Sequence, residues 1–184
     1  MKLVALLRDP VDRAYSDYRH KIRQGTEELS FEEALHKESE RIAGERDRML
    51  ADSAYYSRAL RRHSYLSRGI YVDQIRDWRE YFDPEQILIL KSEDLYEDPQ
   101  GVSGKALAFI GLEGETLSTR SYGYGGGAEP IVPETRRWLQ EYYEPHKPEA
   151  IRVSREGLRL VERLAQKHTW RFIGGPSWGS LFRA

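Results

Sequence analysis

The chain has 184 residues, of which 39% are hydrophobic and 32% charged, with a formal net charge of −1. That length suffices for one domain with its own core, and the near-neutral balance excludes a global pull toward nucleic acid or an anionic membrane surface, leaving only local basic patches. There is no cysteine, so disulfides and thiolate metal sites are excluded, and no apolar run is long enough to span a bilayer. The expectation is a cytoplasmic protein without nucleic-acid or membrane partners.

The first readable element is Leu3-Val4-Ala5-Leu6-Leu7, a short apolar run bounded by charge. It predicts a strand buried on both faces in a parallel sheet. Asp9 is placed to cap a following helix, with Pro10 at its first position and Asp12 on the favourable side of its dipole. Val11, Ala14, Tyr15, Tyr18 and Ile22 fall on one helical face and predict its buried side. Arg8 then lies at the carboxyl end of the strand and Ser16 on the helix, the end of an open parallel sheet where ligands bind. A guanidinium grips a phosphate with two charged hydrogen bonds, and a hydroxyl adds a neutral one. The local alternative is that Arg8 pairs with Asp9 or Asp12 and Ser16 is simply solvated.

Further along, Ser30-Phe31-Glu32-Glu33 has the spacing of a capping box, with a thinly hydrophobic helical stretch to about Met49. Tyr55, Tyr56 and Tyr65 flank a basic cluster of Arg58, Arg61, Arg62 and His63, which fits surface charge or an anion-facing wall. Ser67 to Phe82 predicts a helix with Tyr71, Ile75, Trp78 and Phe82 on its core side, ended by Asp83-Pro84. Gln86 to Leu90 predicts a second buried strand, with Ser92-Glu93-Asp94-Leu95 at its carboxyl end; Glu93 and Asp94 are conceivable acid–base groups. Asp98-Pro99 opens a helix with Val102, Ala106, Phe109 and Ile110 on one face and Gly111 as its stop. Helix, turn and apolar strand in succession imply an α/β domain with a short parallel sheet.

Ser121 to Pro130 is glycine-rich, and a loop such as Gly125-Gly126-Gly127 can bring backbone N–H groups to phosphate, but it lacks the lysine of a P-loop. Pro133 starts a last well-marked helix through Trp138, Leu139 and Tyr142, broken by Pro145. Residues 148–184 keep a helical period to Leu164 and then become glycine-broken and aromatic, a divergent extension of a single domain. The five histidines (His20, His36, His63, His146 and His168) show no paired metal-ligand spacing, so no metal is expected.

The stretch from Arg8 through Asp9, Pro10 and Tyr15 to Tyr18 resembles the segment that holds the 3′-phosphate of the donor in sulfotransferases dependent on 3′-phosphoadenosine-5′-phosphosulfate (PAPS). The resemblance continues through Ser30–Ala34, Tyr65–Tyr71, Gln86–Leu95, Pro133–Arg136 and Tyr142–His146. It covers residues 2 to 147 in the family's order and is nearest to bacterial sulfotransferases related to the heparan sulfate enzymes. It implies a P-loop-type sulfotransferase fold and transfer of a sulfuryl group to a hydroxyl or amine. Arg8 and Ser16 are the implied donor-binding residues, followed by Tyr122, Gly125, Gly126 and Gly127. The loop's basic nucleotide contacts in the heparan sulfate relatives are replaced here by Gly, Ala and Glu. Family insertions like the stretch after Ser30 contribute to acceptor binding, and Glu93 and Asp94 are implied to be structural.

The family's P-loop and catalytic base lie before its Arg-Asp-Pro segment, which here begins at residue 8. The expectation is an N-terminally incomplete domain, inactive by itself, whose base lies upstream of this sequence. The acceptor is left open between glycan, lipid, phenol and small metabolite, as is the oligomeric state. The rival reading is a non-catalytic remnant that binds a nucleotide or a protein partner.

Overall fold

Two strands, β1 (Leu3–Leu7) and β2 (Ile87–Lys91), pair in parallel, with Leu3 opposite Ile87 and Leu7 opposite Lys91. The computed structural model describes residues 1–112 and 129–146. The readings placed on Tyr122, on Gly125, Gly126 and Gly127, and on residues 148–184 lie outside the described residues. A parallel pair needs a long crossover, and here it holds α1 (Pro10–Arg23), α2 (Phe31–Arg41), α3 (Glu45–Ala51), α4 (Arg58–His63) and α5 (Tyr71–Arg79). After β2 come α6 (Ser92–Glu97), α7 (Pro99–Ile110) and α8 (Pro133–Tyr143). The architecture is α/β, as the alternation of elements predicts.

Two apolar clusters hold it together. Ile75, Ile87 and Ile89 form one, with Leu3, Ala5, Leu7, Tyr71, Trp78 and Phe82 packed against it. The aromatic stripe is therefore core, as its spacing predicts. Trp78 keeps part of its ring exposed, so Trp78→Ala is expected to cost about 3 kcal/mol, the low end for large aromatic truncations. A melting temperature equal to wild type would remove Trp78 from the core. The second cluster joins Val11 and Ala14 of α1, Phe31, Ala34 and Leu35 of α2, Tyr65, and Trp138, Leu139 and Tyr143 of α8. Gly69 lies in a short 3₁₀ turn, where a Cβ would sit 2.5 Å from the Tyr143 hydroxyl; only glycine permits that approach.

Several elements depart from the sequence reading. β1 is not buried on both faces: Leu3, Ala5 and Leu7 pack inward, while Val4 and Leu6 are 45% and 50% exposed. A strand is fully buried only when both faces are covered, and α5 covers one. On α1 the buried row is Val11, Ala14 and Lys21, and Ile22 is 39% exposed. Lys21 takes the inner position because its stem packs while its ammonium reaches Asp17 Oδ1 at 3.8 Å. The stretch after Ser30 breaks into two helices at Gly44, whose φ of 72° is left-handed. The helix expected over Ser67–Phe82 is shorter, since the 3₁₀ turn Ser67–Gly69 precedes α5 and α5 ends at Arg79. On α7, Leu107 rather than Ile110 turns inward with Val102. The capping box at Ser30 and Glu33 and the left-handed Gly111 stop form as expected.

The thinly hydrophobic excursion from Glu27 to Ser67 is fixed by buried carboxylates. Glu38 accepts from the backbone N–H groups of Leu66 and Ser67 at 2.5 and 2.8 Å. Glu45 accepts from the Tyr55 hydroxyl at 2.9 Å and from Ser57 Oγ. Glu27, whose side chain is 0% exposed, binds Arg41 at 2.5 Å and accepts from the Tyr65 hydroxyl at 3.0 Å. Each carboxylate replaces apolar packing with several charge-assisted hydrogen bonds.

Candidate functional site

The turn between β1 and α1 is pinned from three sides. Asp9 caps α1, its carboxylate accepting from Val11 N at 3.0 Å and Asp12 N at 3.1 Å. Its own N–H donates to Glu93 Oε1 at 3.0 Å, and the Tyr71 hydroxyl donates to the Arg8 carbonyl at 3.0 Å. Glu93 therefore holds the loop, in line with its implied structural role, and its other carboxylate oxygen is buried without a hydrogen-bond partner among the described residues. The turn is rigid because strand end, helix cap, α5 and α6 all meet there.

That rigidity decides the state of Arg8. Its two local competitors are already engaged: Asp9 with the helix N-terminus, and Asp12 with Arg136 at 2.7 Å. No acidic side chain among the described residues pairs with Arg8, which is half-buried at the carboxyl end of β1. Arg13 differs, since it donates to the Tyr65 carbonyl and lies 3.7 Å from Asp17. Arg68 reaches the same Asp17 at 3.6 Å. Around this turn, then, Arg13 and Arg68 serve the fold, while no ion pair holds Arg8 among the described residues.

Ser16 is exposed on α1, about two turns beyond the helix start. Its neighbour Tyr15 donates to the Glu129 carbonyl at 2.7 Å, so the chain emerging from the glycine-rich stretch is tied to α1 beside Ser16. Sequence reading missed this tie, because nothing in a tyrosine's identity names a backbone carbonyl 114 residues away. Tyr122 and Gly125–Gly127 themselves are outside the described residues.

The ionisable groups under α2 and α4 form a second feature. Burial works against the charge of Glu27, but Arg41, the backbone N–H groups of Leu29 and Glu28 and the Tyr65 hydroxyl outweigh it, pulling the carboxyl down to about 2. Burial, then the bond to Glu27, push the Tyr65 phenol well above its ordinary range. Burial and Arg41 push His63 down against the opposing pull of Glu27. The charged form of His63 is thereby disfavoured, and its Nδ1 lies 3.2 Å from Arg41 Nη1 and 3.4 Å from Glu27 Oε2. No group of three or more metal-ligating side chains occurs among the described residues, and no helix among them is long and apolar enough to cross a membrane.

An arginine at the carboxyl end of a parallel strand, followed by a capped helix bearing a hydroxyl, belongs to an α/β protein. Comparison with known proteins makes this particular: residues 1–122 match the family model of the sulfotransferase domain, and the chain belongs to that family. It is 32% identical over 112 residues to human heparan sulfate glucosamine 3-O-sulfotransferase 3B1, covering 61% of this chain and 25% of that protein. It is 28% identical over 168 residues to human carbohydrate sulfotransferase 15, covering 83% and 29%. The crystal structure of a sulfotransferase from Alicyclobacillus acidocaldarius superposes with a TM-score of 0.67 at 28% identity, over 88% of this chain and 57% of that one. The chain thus spans less than a third of the length of these two curated relatives.

Proposed function

We propose that the protein takes PAPS as sulfuryl donor and serves transfer to a hydroxyl or amine of a small-molecule or glycan acceptor. In that reaction the acceptor oxygen or nitrogen attacks sulfur, the bond from sulfur to the bridging phosphate oxygen breaks, and adenosine 3′,5′-bisphosphate leaves. The acceptor's proton passes to a general base. Arg8 and Ser16 hold the 3′-phosphate, Arg8 through charge and Ser16 through its hydroxyl. Tyr122 and Gly125, Gly126 and Gly127 add further contacts to the donor. The observation that carries this reading is Arg8 at the carboxyl end of β1, without an acidic partner among the described residues and with Asp9 and Asp12 already committed elsewhere.

Calorimetry tests it directly. Adenosine 3′,5′-bisphosphate is expected to bind at least about tenfold more tightly than adenosine 5′-monophosphate, the usual worth of charge-assisted bonds to one extra phosphate. Arg8→Ala is expected to erase that preference. Arg13→Ala lowers stability but keeps the preference, because Arg13 is bound to Tyr65 and Asp17. Equal affinities for the two nucleotides in the wild-type protein would reject the assignment.

A second reading, a non-catalytic binder of a nucleotide or protein partner, is favoured by one observation. The exposed Val4 and Leu6 leave an apolar strip on β1 uncovered by the described elements. It predicts nucleotide binding without turnover, so the transfer assay separates the two.

A further inference from the structure

Arg8 and Asp9 are joined by one peptide group, and both of its polar ends are held by side chains from distant elements. The Tyr71 hydroxyl of α5 donates to its oxygen, the Arg8 carbonyl, at 3.0 Å. Glu93 Oε1 of α6 accepts from its N–H, that of Asp9, also at 3.0 Å. Tyr71 and Glu93 lie 63 and 84 residues along the chain from the atoms they hold. A peptide group is planar, so bonds at both ends fix the plane. With it they fix ψ of Arg8 and φ of Asp9, the latter at −47°.

Satisfying the backbone does not by itself call for this arrangement. Arg8 and Asp9 are both partly exposed, and a turn open to solvent can satisfy such groups with water. The fold instead commits a carboxylate whose second oxygen, Glu93 Oε2, is buried without a hydrogen-bond partner among the described residues. An orphaned buried oxygen lowers stability, so the arrangement is a poor staple for its own sake. Tyr71 is suited to the other end: burial, ahead of every other influence, pushes its phenol above the ordinary range, which keeps it a neutral donor.

What the clamp ties down is Arg8. The β1–β2 ladder stops at the pair Leu7 and Lys91, and α1 begins at Pro10, so Arg8 belongs to neither element. The ladder holds it from one side and the clamped peptide from the other. Asp9 also caps α1 through its carboxylate, so the clamp sets the direction in which α1 leaves the strand, and with it the place of Ser16. Functional groups need to be held within about 0.5 Å of their working geometry, a tolerance that a loop residue meets only when its backbone is fixed.

We infer that Tyr71 and Glu93 are positioning residues for the donor's 3′-phosphate: they hold the Arg8–Asp9 peptide so that Arg8 and Ser16 converge on one anion. The inference rests on the PAPS reading and adds to it two residues that act through the backbone. Their removal therefore affects nucleotide preference, which a merely stabilising contact leaves alone.

The test is calorimetry with adenosine 3′,5′-bisphosphate and adenosine 5′-monophosphate on four variants of the full chain. Tyr71→Phe keeps the ring that packs beside Ile75, Ile87 and Ile89 and removes only the hydroxyl. It is expected to lower the preference for the bisphosphate about fivefold, the worth of one hydrogen bond, with affinity for the monophosphate unchanged. Glu93→Ala is expected to lower the preference at least as much, and Glu93→Gln, which keeps an acceptor oxygen for the Asp9 N–H, to restore it. Tyr143→Phe is the control: its hydroxyl donates to another backbone carbonyl, that of Leu66, at 3.0 Å. It is expected to lower the melting temperature and keep the preference. Full preference in Tyr71→Phe or Glu93→Ala would overturn the inference, as would an equal loss in Tyr143→Phe. Glu93→Gln as poor as Glu93→Ala would also overturn it, by showing that charge acts rather than geometry. If Glu93→Ala does not fold, the comparison of Tyr71→Phe with Tyr143→Phe decides. A wild-type protein without the preference would strike the donor reading itself, and the inference with it.

Discussion

Glu27→Ala is expected to destabilise the protein by about 3–5 kcal/mol, the usual result of removing one partner from a buried ion pair. The carboxylate is fully enclosed and serves Arg41, the Tyr65 hydroxyl and the N–H groups of Glu28 and Leu29 at once. Deleting it strands a part-buried guanidinium and leaves the Tyr65 hydroxyl without its carboxylate. The pH dependence follows from the same site. A carboxyl ordinarily near 4.5 is pulled down to about 2 in the folded state, so its stabilisation is complete above about pH 4.5 and is lost as pH falls toward 2. By linkage that lowering of somewhat over two units corresponds to about 3 kcal/mol. Urea denaturation at pH 7 and across pH 2–5 checks both statements. An unchanged midpoint at pH 7, or an acid limb as steep in Glu27→Ala as in wild type, would show that the cluster does not staple the excursion.

What could be read from the sequence divides along the range of the interactions. Local chemistry was plain: the Asp9 cap, the Ser30 and Glu33 box, the Gly111 stop and the apolar run of β2 are each decided within a few residues. So was the aromatic row on α5, because helical spacing and bulk agree. Where the outcome depended on a distant partner, spacing misled or fell silent. Ile22 fits the inner face by hydrophobicity, but Lys21 displaces it by satisfying its charge on Asp17. Val4 and Leu6 read as core until the absence of a covering element over them among the described residues is known.

The functional residues divide in the same way. The Arg8 and Ser16 spacing stood out through resemblance, yet Arg8's availability depends on Arg136, contributed 128 residues later, occupying Asp12. The basic cluster at Arg58–His63 was visible as charge alone. That His63 turns inward to Arg41 and Glu27 while its arginine neighbours face a groove with His20 and Lys21 is a tertiary fact. Carboxylates such as Glu27 and Glu38 gave no signal, since acidic residues in a polar stretch read as surface.

The remaining expected result concerns turnover. These 184 residues alone are expected to transfer no sulfuryl group from labelled PAPS above background to hydroxyl or amine acceptors. The sequence contains no glycine-rich loop ending in Lys-Ser or Lys-Thr, the element that would cradle the 5′-phosphosulfate. Near Arg8, Glu93 Oε1 is engaged at the Asp9 N–H and Arg13 at the Tyr65 carbonyl. Each preorganised donor to the developing charge is worth about 10²–10³ in rate, and general-base help about 10²–10⁴. The two contributions act on one transition state and do not multiply simply; without the phosphate loop alone, turnover is expected to fall below detection. The decisive comparison is this chain against a chimera that adds, before Met1, the strand, phosphate loop and helix of the Alicyclobacillus acidocaldarius sulfotransferase. Turnover restored in the chimera and abolished by Arg8→Ala would support the donor assignment. Clear turnover by the unextended chain, itself lost on Arg8→Ala, would mean that residues already present bind the 5′-phosphosulfate, and the backbone around Gly125–Gly127 would be the segment to alter next.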